Sequence, residues 1–489
     1  MKSLRLCAAM LAMILPVFGA AADAPVAEAD SRVLDSVVEL VTSGQFHAAD
    51  TRIDGALAQA DLSADLRKGF EFQRVRMQRM RDDFSLTSDE VRAKVRAQIA
   101  DLSDAEFARW DEHGLFEHLD IDGKRMYFKR APSNLFRLSG EARARRKDQA
   151  AFSSSDLEHV SDYHREVIRQ AQSTSRSSVL PQRVQVTQTL TVDADAVPSG
   201  ETIRAWIPYP RAIPNQQDDI RFVSSRPSKH SIAPESALQR TAYMEQTALA
   251  GTPAVFSVTY ELTVHSQYHV IDPAKVVPLL KITRELAPFL AERPPHIVFT
   301  EPMQLFSRQV VGDAVDPYRV AQKIFAAVDE IPWAGAREYS TIANLSDYTL
   351  RAGHGDCGEQ TLLLITLMRM NGIPARWQSG WTFTRGDYND IHDWAEIYLA
   401  PYGWIPVDVT YGRLDSEDTA LKWFYLGGLD SFRIAFNDDF SREFDPPKRS
   451  FRSDNVDSQR GEVEWNGGNL YYDKWNYDFA WKILSSQRD

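Results

Sequence analysis

The sequence predicts a multidomain α+β protein: a core in which a cysteine at a helix N-terminus packs on an antiparallel sheet, preceded by a helical domain and a small β-sandwich. Three observations carry this prediction. Early in the chain Val37, Leu40, Val41, Phe46, Ala49, Ile53 and Leu57 recur at three- and four-residue spacing, which is helix periodicity. Further on, Phe256, Val258, Tyr260, Leu262 and Val264 alternate with polar residues, the period of a half-buried strand. Finally, a helix-length apolar run starting at Cys357 is followed by three strand-like runs separated by turn residues.

At the N-terminus, Lys2 and Arg5 precede an apolar run from Leu6 to Phe18 and small residues from Gly19 to Ala22. This is the pattern of a cleavable signal peptide over 1–22, and it implies a periplasmic or secreted protein. Cys7 precedes the apolar run, with Arg5 where a lipid-attachment signal needs a small residue, which argues against acylation. The 489-residue chain carries a net charge of −12; loss of 1–22 leaves 54 basic and 68 acidic residues, a net of −14. Such a charge argues against nucleic acid as a partner. No later segment is apolar for long enough to span a bilayer, so the mature chain is expected to lack a transmembrane segment. Without Cys7, Cys357 has no disulfide partner, and the fold must rest on ordinary cores.

The helical domain is expected over 23–139. Ser43-Gly44 breaks its first helical pair, and Thr87-Ser88-Asp89-Glu90 and Ser103-Asp104-Ala105-Glu106 supply capping-box chemistry for two more helices. Residues 140–180 read as a charged helix followed by a Ser-rich linker. The β-sandwich is expected over 181–270, with turn signals such as Pro198-Ser199-Gly200. At the far end, 441–489 reads as a C-terminal extension: a charged connection to about 462, a hairpin turn at Trp465-Asn466-Gly467-Gly468-Asn469, and an alternating aromatic strand from Trp475 to Ile483. Its aromatic face is expected to pack into a core rather than to stack on sugar.

Between these regions lies the segment that carries chemistry. Asp316-Pro317 offers a helix cap with proline at the first helical position. The Cys357 helix is apolar nearly all round, as a buried central helix is, and Gly372 and Pro374 stop it. Strands follow over 375–381, 392–399 and 404–409, with turns at Gly386-Asp387 and Pro401-Tyr402-Gly403. His392 and Asp408 then fall on neighbouring strands facing the helix end. Unpaired helix amides favour thiolate, so the thiol pKa is expected to fall from about 8.5 into the range of roughly 3.5 to 7.5. A carboxylate on the imidazole fixes its tautomer and leaves the other nitrogen for the thiol. His354, Cys357 and His392 supply part of a zinc-ligand set, but a fourth ligand motif is missing, so no metal and no cofactor is expected.

Gly355-Asp356-Cys357-Gly358, Asn371-Gly372-Ile373-Pro374-Ala375-Arg376, His392-Asp393-Trp394-Ala395-Glu396 and Gly403-Trp404-Ile405-Pro406-Val407-Asp408 together resemble the transglutaminase-like superfamily, in the papain-like group of thiol enzymes. The resemblance implies a bacterial secreted multidomain member with its catalytic domain over 271–440 and a Cys357, His392, Asp408 triad. An oxyanion hole would use the backbone N–H of Cys357 and one further donor, for which Trp333, Tyr339 and Tyr348 are the candidates. Trp394 and Glu396 are expected to brace the sheet. The expected activity is peptidase-like hydrolysis of peptide or amide bonds through a thioester, on a protein or peptide substrate in the cell envelope. The alternatives are protein-glutamine transglutaminase chemistry, in which an amine accepts the acyl group, and an inactive binding scaffold.

Overall fold

The computed structural model describes residues 23–149, 152 and 155–486; the expected signal segment 1–22 lies outside the described residues. The described chain is mixed helix and sheet, the predicted α+β class. No helix among the described residues is long and apolar enough to cross a membrane.

The chain divides into two compact units. The first, described over 23–78 and 120–124, is mainly helical. Helices Asp23–Thr42 and Phe46–Leu57 are joined by a turn in which Gly44 takes a φ of 78°, a left-handed conformation that glycine adopts without steric penalty. Val37, Val41, Phe46, Ala49 and Ile53 form the buried stripe between the two helices.

The second unit comprises 79–119 and 125–489. Its first helices, Ser88–Arg96 and Asp104–Glu112, each begin with a reciprocal capping box, Thr87 with Glu90 and Ser103 with Glu106. Two five-stranded sheets form the sandwich. In one, strands Ala254–Tyr268 and Ser178–Val192 pair along most of their length; in the other, Thr202–Pro208 and Thr241–Thr247 are central. Val184, Val186, Leu190, Phe256, Val258, Ile203 and Ala205 fill the space between them.

The sandwich is not confined to 181–270. Strand Trp475–Ser486 pairs with Ser178–Val192, and Glu462–Trp465 pairs with Thr202–Pro208. The aromatic strand reaches strand Ala375–Phe383 and the residue after it as well: Phe479 stacks on Trp381 with ring centroids 4.4 Å apart, and the Trp481 indole donates to the Thr384 carbonyl at 2.9 Å.

The expected Ser-rich linker within 140–180 is ordered structure from residue 155 onward. Ser155 caps the short turn Asp156–Glu158, and helix Asp162–Thr174 buries His164, Val167, Ile168 and Ala171. Serines that read as linker composition are acting as caps, because a hydroxyl accepts from the free amides of a first turn.

The core that positions the site is a buried helix on a four-stranded antiparallel sheet. The strands run in the order Gly403–Val407, Asn389–Leu399, Ala375–Phe383 and Arg433–Asn437. Helix Cys357–Met370 is buried from Cys357 to Arg369. Trp377, Trp394, Phe383 and Ile397 lie wholly buried in this core. Each such apolar side chain contributes roughly 1.5–3 kcal/mol of burial free energy. Gly380 permits the closest backbone approach, since a Cβ there would fall 1.8 Å from the Ile434 carbonyl oxygen.

Candidate active site

Two turns of backbone deliver Cys357. Helix Leu345–Ala352 ends at Gly353, whose φ of 66° reverses the chain, and Asp356 then caps the next helix. The Asp356 carboxylate accepts from the Glu359 N–H at 3.1 Å, while the Glu359 carboxylate accepts from the Asp356 N–H at 3.0 Å. That capping box leaves the N–H groups of Cys357 and Gly358 without intrahelical acceptors, as the first turn of any helix does. The loop at 332–335 is pinned alongside: Ala334 N–H donates to the Gly355 carbonyl at 3.1 Å, and Gly355 N–H to the Pro332 carbonyl at 3.2 Å.

His392 and Asp408 lie on neighbouring segments of the sheet and meet. His392 Nε2 and Asp408 Oδ2 are 2.8 Å apart. Arg433 Nη1 donates to the same Oδ2 at 2.8 Å, and Oδ1 accepts the Thr410 and Tyr411 amides, each at 3.1 Å. Burial alone would raise the Asp408 pKa, but His392 and the Arg433 guanidinium hold it well below the usual carboxylate range. An ionised Asp408 makes Nε2 the protonated imidazole nitrogen and leaves Nδ1 with its lone pair. The Tyr411 ring lies 4.7 Å from the imidazole.

The thiol has a different partner. Cys357 Sγ donates to Asp393 Oδ2 at 3.1 Å, and Asp393 Oδ1 accepts from Gln459 Nε2 at 2.9 Å. The Tyr339 hydroxyl donates to Asp356 Oδ1 at 2.8 Å and lies 3.5 Å from Asp393 Oδ2. Asp457 lies within electrostatic reach of Asp393. Burial and then Asp457 push Asp393 well above the ordinary aspartate value.

This overturns the expectation of a depressed thiol pKa. Burial, Asp393 and Asp356 push the Cys357 thiol well above its ordinary value. The helix amides favour thiolate, but ionisation would place a second negative charge beside carboxylates in a poorly solvated site. Asp393→Asn is therefore expected to speed iodoacetamide alkylation of Cys357 at neutral pH, by about tenfold for each unit of pKa released. An unchanged rate would show that Asp393 does not restrain the thiol.

The buried acids of this unit make a second prediction. Burial raises Asp356 to about 6, burial and Asp457 raise Asp454 to about 8, and burial and Asp356 push Glu359 well above its ordinary value. A carboxyl whose folded pKa lies above its unfolded value adds stability that is fully present below about pH 4 and is lost as pH rises through the folded value. The urea midpoint is therefore expected to fall between pH 5 and pH 8.5, and Asp454→Asn to flatten that slope. A midpoint that rises over this interval would refute the assignment.

Of the candidate oxyanion donors, the fold brings Tyr339 and Trp333 near Cys357. Tyr339 is so close that a Cβ on Gly358 would fall 2.1 Å from its hydroxyl oxygen. Trp333 reaches the site through its backbone pairing with Gly355. Tyr348 turns away: its ring packs edge-on against His354, at 6.1 Å, and lies under Arg337. The Trp394 indole donates to Gln378 Oε1 at 2.8 Å, and Glu396 pairs with Arg376 across the strands at 2.6 Å.

Three residues with contacts here escape the sequence reading. Asp393 sits inside a motif already singled out, but nothing in its spacing directs it to the thiol. Gln459 belongs to the stretch that reads as a mere connection, yet it donates to both the His392 carbonyl and Asp393 at 2.9 Å. Arg433 lies beyond every matched motif, and only its place in a strand of otherwise apolar surroundings hints at a buried partner.

Residues 304–409 match the sequence profile of the Transglutaminase-like superfamily. Among curated relatives, the uncharacterized protein YebA of Bacillus subtilis (strain 168) is 32% identical over 85 residues, which are 13% of this chain and 11% of YebA; the match thus covers about a tenth of that relative. Among solved structures, a candidate cysteine protease from Cytophaga hutchinsonii aligns with a TM-score of 0.43 and 16% identity, covering 64% of this chain and 94% of that one. The periplasmic domain of TgpA from Pseudomonas aeruginosa, bound to ethylmercury, aligns with a TM-score of 0.25 and 14% identity, covering 52% and 96%.

Proposed function

We propose, from the premise that residues 304–409 form a transglutaminase-like superfamily domain, that this chain is a thiol-dependent amide hydrolase of the cell envelope acting through Cys357, His392 and Asp408. The observation that carries the reading is the 2.8 Å contact of His392 Nε2 with an Asp408 also bound by Arg433, beside a sheet-packed helix that starts at Cys357. Cys357 Sγ attacks the amide carbonyl as its proton passes to His392 Nδ1. The backbone N–H of Cys357 faces the developing oxyanion. The imidazolium protonates the leaving amine, the C–N bond breaks, and an acyl thioester remains on Sγ. His392 then takes a proton from water, which attacks the thioester and releases the acid and the free thiol.

Water needs no acceptor groove, whereas amine transfer needs one that outcompetes water; this ranks hydrolysis ahead of transglutaminase chemistry. The envelope location is supported by the N-terminal pattern of Lys2, Arg5 and the following apolar run. One observation favours a different reading, a binding scaffold without catalysis: Cys357 is 8% exposed and its thiol is hydrogen-bonded to Asp393 at 3.1 Å.

Peptide hydrolysis and labelled-amine incorporation, followed side by side over a Cys357→Ala background, separate these readings. Hydrolysis above that background, with little amine incorporated, is the expected result. Incorporation without hydrolysis would assign amine transfer. Neither activity, with Cys357 alkylating no faster than in the unfolded chain, would assign the scaffold.

A further inference from the structure

We infer that Arg130 and Arg137 form an anion subsite beside Cys357, which receives a carboxylate carried by the substrate next to the scissile amide. This rests on the reading of Cys357 as the nucleophile and names the substrate class of that site.

The two arginines bracket helix Ala131–Leu138: Arg130 is its N-cap residue, and Arg137 lies about two turns on, which places both on one face. That face is clamped to the loop beside the nucleophile. Between them, buried Asn134 makes two hydrogen bonds with Gly335, Nδ2 to the carbonyl at 2.9 Å and Oδ1 from the N–H at 3.0 Å. Arg130 Nη1 lies 3.0 Å from the position a Cβ on Gly335 would occupy. Residues 332–335 are in turn bonded to Gly355, two positions before Cys357.

Arg137 is half-buried between two rings, its guanidinium carbon 4.1 Å from the Trp333 centroid and 4.2 Å from that of Phe152. Among the described residues, neither Arg130 nor Arg137 makes an ion pair or a side-chain hydrogen bond. In a chain with 68 acidic residues against 56 basic ones, two such cations at one place are conspicuous.

Asp356, Glu338 and Asp390 lie within electrostatic reach of Arg130, and Glu158 and Asp390 within reach of Arg137. Each has another partner: Asp356 accepts from the Tyr339 hydroxyl at 2.8 Å, Glu338 pairs with Arg460 at 2.7 Å, Glu158 accepts the Ser155 N–H at 2.7 Å, and Asp390 the Ile391 N–H at 2.9 Å. Tyr388 is within electrostatic reach of both Cys357 and Arg137. A guanidinium with rings on its faces keeps its N–H edge free, and that edge matches a carboxylate in a bidentate pair. A half-buried cation with no hydrogen-bonded counter-ion bears a desolvation penalty that a substrate carboxylate relieves.

The test compares alkylation of Cys357 by anionic iodoacetate and neutral iodoacetamide in the full chain. The iodoacetate-to-iodoacetamide rate ratio is expected to fall severalfold in Arg137→Gln and further in the Arg130→Gln, Arg137→Gln double variant, with Arg137→Lys intermediate. The iodoacetamide rate reports whether the thiol surroundings survive each substitution. In the wild type, added salt is expected to lower the same ratio, because partly exposed charges are screened. A ratio equal in wild type and double variant, and insensitive to salt, overturns the subsite.

Peptides with an acidic side chain and an amidated C-terminus, or with a free C-terminal carboxylate and no acidic side chain, identify the source of the carboxylate by which arm loses kcat/KM in the double variant. Hydrolysis indifferent to either carboxylate would overturn the subsite and leave the hydrolase reading intact. A ratio that responds, without hydrolysis of any peptide, would support the subsite and count against the hydrolase.

Discussion

Asp408→Asn is expected to slow acylation of Cys357 by about 10³–10⁴-fold, the scale on which a misplaced histidine proton acts in a triad. The reason lies in who else touches the carboxylate. Asp408 Oδ2 takes hydrogen bonds from both His392 Nε2 and Arg433 Nη1. The Thr410 and Tyr411 amides can only donate, so an asparagine in this place keeps its carbonyl oxygen at the Oδ1 position to accept them and puts its NH₂ at the Oδ2 position, facing the imidazole and set against the Arg433 N–H. Nε2 then accepts rather than donates, and the imidazole proton moves to Nδ1, the nitrogen required to take the thiol proton. Single-turnover acylation with an activated amide measures the effect, with unchanged near-UV circular dichroism showing that the fold is kept. A loss smaller than tenfold would mean that His392 does not act through Asp408.

How far this site can be read from the sequence depends on how local each contact is. Cys357 is placed by its own helix start, and His392 and Asp408 by consecutive strands of one antiparallel ladder, in which Ala395 lies opposite Val407. Those contacts follow from periodicity and turn signals. Arg433 reaches Asp408 from a strand on the far side of Ala375–Phe383, a pairing that no local pattern announces. Asp393 follows His392 on the same strand, where strict alternation sends it to the opposite face, yet it accepts from the thiol.

The thiol's acidity is the clearest failure of local reasoning. The helix-terminus rule weighs the backbone amides of one turn, whereas the carboxylates that oppose it come from the cap at Asp356, from the strand at Asp393, and through Asp457 from the 441–462 segment. Part of that segment's charge lies inside the protein: Glu462 accepts the backbone N–H groups of Ser453 and Asp454, each at 2.8 Å, and pairs with Lys448 at 2.7 Å, while Arg442, Glu443, Asp445 and Arg449 stay exposed. Charged composition does not separate the two kinds of residue.

Arg433→Met is expected to destabilise the protein by about 3–5 kcal/mol, the scale for removing one partner from a buried ionic group. Arg433 is 3% exposed and lies between Asp408, at 2.8 Å, and Asp430, at 2.5 Å. Its guanidinium also lies 5.0 Å from the ring centroids of both Trp394 and Tyr411. Methionine fills much of this volume but leaves two buried carboxylates without their cation, Asp408 with His392 and two backbone amides and Asp430 with the Phe432 N–H. Adding Asp430→Asn removes one of those charges and is expected to recover part of the loss, a coupling that a double-mutant cycle in urea reads directly. The pH dependence gives an independent check. Asp408, with its folded pKa depressed, contributes stability that is present above its unfolded value of about 4 and lost as pH falls through the folded value. Without Arg433 the folded value rises, so acid unfolding is expected to begin at a higher pH than in the wild type. If Arg433→Met unfolds at the same urea concentration and the same acid midpoint as the wild type, Asp408 does not depend on Arg433 for its charge, and the ionised state assigned to the His392 partner fails with it.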